Sequence, residues 1–442
     1  MISTYVNKKL TNIKPIFSQK EIRIISSIVL LFSGLYFIIV FDSINKYNII
    51  NYFLYLISLV IVLFSINSIK KNNINSYNIF LLFFFGALFL NTINLSEKQF
   101  LKTSLDLYYI LIAPLILFIF LYVVENIQIK KIKLKSIKIH VDTFYIILLI
   151  SYIFLKTYIG LKMGFKIEDY SDISKIVSGT DYVIPGISGI SVIIQWALVM
   201  LIPFVKKRYS VIGIISIIVF SGILNVKRGD IIRVLLFLIF YSVYMKIYFK
   251  QLDLKNSMKG VIGISLFFTI FIMFGEYRME ARGAEPGLII EFLGSRIDSV
   301  SISWLYSYFA FNFEILQLHY ADVPSYEMVH LSELFGSNLS RESIGLETTI
   351  SGFNAGTFIQ PFIQDYGMLY FFEIILFSII LSILVYVSKK LDFIGLYIFI
   401  LMLMSLLIFG DYIINRAMMM SLFSMVFIFP FLKIPNNRKK LI

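Results

Sequence analysis

Apolar stretches long enough to cross a bilayer recur along almost the whole chain, and they do not alternate with polar residues as half-buried strands would. They run approximately over 22–41, 49–66, 77–95, 106–125, 141–160, 186–205, 209–226, 231–249, 258–275, 366–388, 393–410 and 412–432. A bilayer core takes about 20 residues of helix, so the pattern predicts an all-α polytopic membrane protein with about twelve transmembrane helices. One long interruption, 276–365, separates spans nine and ten. The chain therefore divides into 1–275 with spans one to nine, a 276–365 loop, and 366–442 with spans ten to twelve and a tail. The first stretch, Ile22 to Phe41, is too long for a signal-peptide core and has no small-residue cleavage site, which reads as a retained helix.

Composition agrees with a membrane class. Hydrophobic residues make up 58% of the 442 and charged residues 15%, which excludes a soluble multidomain enzyme. The net charge of +13 does not point to nucleic acid, because most of the 40 basic residues lie beside apolar stretches. With the N-terminus inside, the inner segments collect Lys8 to Arg23, Lys70 and Lys71, Lys130 to Lys138, Lys206 to Arg208, Lys246 to Lys259, Lys389 and Lys390, and Lys433 to Lys440. That distribution is the positive-inside signature; it expects both termini in the cytoplasm and the long loop outside. The absence of cysteine removes disulfides, thiol nucleophiles and CxxC metal sites.

The long loop has its own chemistry. It holds no Lys, four Arg (Arg278, Arg282, Arg296, Arg341) and twelve acids, a net charge of −8. Between Leu288 and Tyr320, apolar and aromatic residues including Trp304, Tyr308, Phe309 and Phe311 recur near helical spacing, which predicts one or two helices at the outer interface. A loop of this length in a bundle of short connections is where function is expected.

Arginine is segregated from lysine. Arg23, Arg208 and Arg438 are on the inner side, whereas Arg228, Arg233, Arg278, Arg282, Arg296, Arg341 and Arg416 are outside or at outer helix ends. Orientation needs only point charges, which Lys supplies; a guanidinium adds a planar fork for phosphate. One reading has Arg228, Arg278, Arg282, Arg296, Arg341 and Arg416 converging on a phosphate-bearing substrate, and the other pairs them with the loop acids. Arg228 and Arg233 flank a helix N-terminus that itself favours anions, although Arg233 is equally open to snorkelling.

Candidates for proton transfer are Glu280, His319, His330 and Glu347, each alternatively a solvent-facing or salt-bridged group. Trp304, Tyr306 and Tyr308 suit either stacking on sugar faces or an interfacial aromatic belt. There is no GxxxxGK[ST], Rossmann glycine pattern, HExxH, GxSxG or DxD-like carboxylate pair. No cofactor and no metal are expected, and the substrate should bring its own leaving group.

The stretch Gly352-Phe-Asn-Ala-Gly-Thr-Phe-Ile-Gln-Pro-Phe-Ile-Gln-Asp365-Tyr-Gly367, followed by a hydrophobic helix, resembles the segment that closes the large periplasmic loop of Wzy-type oligosaccharide repeat-unit polymerases of O-antigen and capsule. The Lys-Arg-Gly turn at 227–229 and the spacing from Arg341 to Gly352 are similar to that family as well; the earlier outer loop, 161–185, carries no second copy of the spacing. The resemblance implies a GT-C-like bundle in the bacterial cytoplasmic membrane. It implies glycosyl transfer from a polyprenyl-pyrophosphate (undecaprenyl) oligosaccharide donor to a lipid-linked acceptor, with the Arg residues on the departing pyrophosphate. Loop acids and aromatics, Asp365, Trp304 and Tyr308 among them, would hold the sugar. A chain-length regulator and a flippase would be its partners. A lipid-linked oligosaccharide ligase shares this layout and differs in acceptor. A flippase or other transporter should show two related halves and mid-membrane charges.

Overall fold

The computed structural model describes residues 49–71, 74–99, 104–131, 139–162, 184, 186–225, 228–248, 291, 293–318, 324, 326–333, 357–409 and 416–434. The expected spans at 22–41 and 258–275 lie outside the described residues. The other ten apolar stretches each coincide with a helix: α1 Ile49–Lys70, α2 Ser76–Thr92, α3 Ser104–Asn126, α4 Val141–Lys162, α5 Ile187–Leu201, α6 Lys207–Asn225, α7 Arg228–Tyr248, and, after the loop, α12 Phe371–Lys390, α13 Ile394–Leu406 and α14 Arg416–Ile428. In the loop and its exit lie α8 Val300–Ala310, α9 Asn312–Leu318, α10 Val329–Glu333 and α11 Gln360–Tyr366. Five of these helices are long and apolar enough to cross a membrane, the one beginning at Ile187 running on to Phe204, and α2, α13 and α14 are shorter apolar helices.

Why the bundle belongs in lipid is visible in what it leaves uncovered. Ile147, Ile150, Phe154 and Leu161 form a stripe on α4 and are 55%, 62%, 68% and 79% exposed. The opposite face of the same helix buries Tyr145, Leu149, Tyr152 and Ile159. A helix apolar on both faces satisfies its outer face only against hydrocarbon. The protein is a helical membrane protein.

α13 is the axis of packing: every residue from Ile394 to Leu406 is buried. Phe399 of α13 meets Trp196 of α5 and Phe237 of α7, and Tyr397 meets Tyr244. Gly395 lets α5 come close, since a Cβ there would clash with the carbonyl oxygen of Met200.

Long-range contacts sort the helix ends into two sets. At one, here called the lysine end, the Glu125 side chain accepts from Ser76, Tyr397 and Lys389, and Lys131 pairs with Asp392. The backbone N–H of Lys206 donates to Asp142 there, and β1 (Ile139–His140) pairs in parallel with β2 (Leu432–Lys433). At the other, the loop end, Asn51 donates to the Thr92 carbonyl, Asn91 to that of Ala310, and Ser96 to that of Leu293. Tyr108 reaches Met368 at this end, and the N–H of Phe358 donates to Leu407.

The expected stretch does contain helices, α8, capped at Ser299, and α9, and they are docked on the end of α2. A small second core of Leu293, Tyr306, Ala310, Phe311 and Ile315 seals them there. The Tyr306 hydroxyl accepts from the Leu95 N–H at 3.1 Å and donates to Gln99 Oε1 at 2.8 Å. Burial pushes this hydroxyl above the ordinary tyrosine range, and the two hydrogen bonds only partly offset that.

Candidate functional site

The site is built where the loop returns to the bundle. α11 ends at Tyr366, and Gly367 reverses the chain at φ 54°, a left-handed conformation that suits glycine. Pro324 packs 3.2 Å from the position a Cβ would take there. The reversal brings Asp365, at the end of α11, under α10. The backbone N–H of Tyr326 donates to the Asp365 carbonyl at 2.8 Å, fixing the approach of the segment that carries His330.

Asp365 has no exposed surface. Its Oδ2 accepts from the backbone N–H of His330 at 2.9 Å, and its Oδ1 lies 2.8 Å from His330 Nδ1. A carboxylate only accepts, so Nδ1 carries the hydrogen, and in the neutral ring the lone pair is on Nε2. The imidazole is about one-fifth exposed. This is the arrangement of a general base whose tautomer and orientation are set by a buried acid.

A second acid stands beside the pair. Glu373, in the first turn of α12, is fully buried and near enough to Asp365 for the two carboxyls to interact electrostatically. Neither Glu373 oxygen has a hydrogen-bond partner among the described residues. Beside the cluster, Tyr370 donates to the carbonyls of Tyr108 and Tyr109, tying the start of α12 to α3.

The other expected site residues divide into those the structure describes and those it does not. Arg296 is exposed, and its backbone N–H donates to Leu95 at the seam between loop and bundle. Tyr308 is half-buried beside the second core, its ring 6.5 Å from that of Phe409. Tyr306 is occupied as a structural tie and offers no ring face for sugar. Asp365, expected to hold sugar hydroxyls, is engaged through both oxygens by His330. Arg233 does not extend outward: it is 15% exposed, bonded to Asp230 at 3.0 Å and 5.9 Å over the Trp196 ring. Arg228 and Arg416 begin α7 and α14, and Trp304 lies in α8; their side chains are outside the described set. Glu280, His319, Glu347, Arg278, Arg282 and Arg341 lie outside the described residues.

Sequence reasoning missed Glu373 and Lys156. Each is a lone charge within an apolar stretch, the signal that marks a membrane-embedded functional group. Among the described residues, no group of three or more His, Asp or Glu is arranged to hold a metal ion. No family model, curated protein or solved structure matches the chain.

Proposed function

We propose that this protein polymerises polyprenyl-pyrophosphate-linked oligosaccharide repeat units by glycosyl transfer at the outer face of the cytoplasmic membrane. The observation that carries the reading is the partly exposed imidazole of His330, held by the buried Asp365 in the segment whose sequence resembles the polymerases. In this reading the fold is a GT-C-like bundle of about twelve spans, both termini cytoplasmic, with the loop end outward.

Chemically, His330 Nε2 takes the proton of an acceptor sugar hydroxyl as that oxygen attacks the anomeric carbon of the donor. The bond from that carbon to the pyrophosphate oxygen breaks, and the lipid pyrophosphate leaves with the bonding pair. A base in this role contributes about 10²–10⁴ in rate. The outer Arg residues supply the compensating charge for the leaving group, electrostatic stabilisation aimed where charge develops. Of the bases open from sequence, this reading takes His330, whose ring Asp365 orients.

The test is incubation of the purified protein with labelled lipid-linked repeat units. Ladders of increasing length support polymerisation. Transfer only to an unrelated acceptor would instead make the protein a ligase, and no transfer with net movement of the intact lipid between leaflets would make it a flippase.

A further inference from the structure

At the lysine end, opposite the His330–Asp365 pair, a cavity of about 270 Å³ lies between the end of α3, the end of α12 and the start of α13. No step of the proposed transfer uses it. Ile127, Ile129 and Ile394 give it apolar walls, and Lys131, Lys389 and Asp392 line the same space. Lys131 and Asp392 are the exposed members, so they stand at its mouth, and Lys389 lies deeper.

The fold holds these charges in place. Asp392 follows α12 in a left-handed conformation, φ 55°, and the N–H groups of Asp392 and Phe393 donate to the carbonyls of Lys389 and Ser388, the turn that closes a helix C-terminus. Its carboxylate then meets Lys131 at 2.6 Å. Lys389 donates to the backbone carbonyl and Oε2 of Glu125, a carboxylate that Ser76 and Tyr397 also satisfy. An ammonium has three N–H groups. Lys131 spends one and Lys389 two on the described residues, which leaves both with donors for a ligand in the space they share. Lys130 and Lys390, adjacent in the chain, have no carboxylate partner among the described residues. The four lysines therefore outweigh Glu125 and Asp392, and the cavity sits in positive potential.

Position decides which anion fits. Leu115, Ile119, Val123 and Ile127 recur every four residues on α3 and its last turn, and all are exposed. They make a lipid-facing stripe about 18 Å long, close to the roughly 15 Å of hydrocarbon that one leaflet supplies. Its last member, Ile127, is a wall of the cavity. An acyl chain lying on the stripe thus brings its headgroup to Lys131 without leaving the bilayer. Basic pockets between helices at the inner membrane surface favour anionic headgroups. The Lys131–Asp392 pair is a weak competitor, since exposed pairs hold loosely in water.

We infer that this cavity binds the phosphodiester headgroup of an anionic phospholipid. Lys131 and Lys389 bind the phosphate oxygens, the α3 stripe carries an acyl chain, and the headgroup links α3 to the turn between α12 and α13. The site is independent of the sugar chemistry proposed above.

The test is equilibrium binding of dioleoyl-phosphatidylglycerol to the purified full chain in neutral detergent, read by native mass spectrometry beside phosphatidylcholine with the same acyl chains. Loss of one charge-assisted bond corresponds to roughly tenfold or more in affinity. Lys131→Gln is expected to weaken phosphatidylglycerol binding by at least that factor, and Lys131→Arg to keep most of it. Lys131 is exposed, so the variants fold. Lys207→Gln, at the same end and outside the cavity, is expected to bind as the parent does. Parental affinity in Lys131→Gln overturns the site, as does an equal loss in Lys207→Gln or equal binding of phosphatidylcholine. Glycerol phosphate, the headgroup without its chains, should compete poorly; competition as effective as by the lipid marks a soluble-anion site and overturns the lipid assignment. A parent that binds no phosphatidylglycerol overturns it too, and each of these results leaves the polymerisation assay to decide the functional reading separately.

Discussion

One carboxylate, Asp365, grips His330 twice: Oδ2 accepts from its backbone N–H and Oδ1 from its ring Nδ1, at 2.9 and 2.8 Å. Two anchors on one residue leave the imidazole little freedom about χ1 and χ2, so Nε2 is aimed as well as freed. The residues are 35 apart in sequence, and the contact exists because Gly367 turns α11 back toward α10 before α12 begins.

His330→Gln removes the base and should lower the polymerisation rate by about 10²–10⁴, with the protein still recovered as a folded species by size-exclusion chromatography. Asp365→Asn keeps the shape but lets the amide present a donor to Nδ1, favouring the wrong tautomer. A loss of about tenfold or more is expected, by analogy with the acid of a serine-protease triad. Parental rates from both variants would remove the pair from the chemistry.

Arginine, not positive charge in general, should be what the outer site requires. Replacing Arg278, Arg341 or Arg416 by Lys keeps the charge but loses one of two forked hydrogen bonds, each worth roughly 1.5–3 kcal/mol. Turnover should fall about tenfold to a hundredfold for each at matched protein level. A surface salt bridge would contribute only about 0–1 kcal/mol, and unchanged rates in all three variants would assign the Arg residues to loop structure.

The chain contains no cysteine, so single introduced cysteines report sidedness cleanly. Lys133→Cys is expected to react with an impermeant maleimide only from the cytoplasm, and Glu327→Cys only from outside. Labelling of position 327 from the cytoplasm alone would invert the topology and remove the extracytoplasmic site with it.

Two ion pairs at the lysine end should differ sharply in weight. Glu125 is 5% exposed and accepts from Ser76, Tyr397 and Lys389, whereas Lys131 and Asp392 are 62% and 47% exposed. Lys389→Met strands the Glu125 charge inside and should cost about 3–5 kcal/mol; Lys131→Ala should cost about 0–1 kcal/mol. Thermal unfolding in detergent distinguishes them, and equal shifts would contradict the burial argument.

Hydropathy along the chain is enough to read the membrane class, the helices from α1 to α7 and α12 to α14 to within a few residues, and the existence of helices near Trp304 and Tyr308. These features are local: hydropathy over about 20 residues decides whether a segment is helical and apolar, whatever its neighbours do. His330 and the Gly352–Gly367 stretch also stood out in the sequence, as a rare residue type and a resemblance. Helix packing decided that His330 meets Asp365, that Glu373 lies near that pair, and that Tyr306 is a tie to Gln99 and Leu95. It also decided that Lys156 faces Tyr152 from inside the bundle. A charge within an apolar stretch is legible in one dimension, but its partner is chosen by how helices pack, and side chains far apart in the chain meet only once the fold has closed the distance between them.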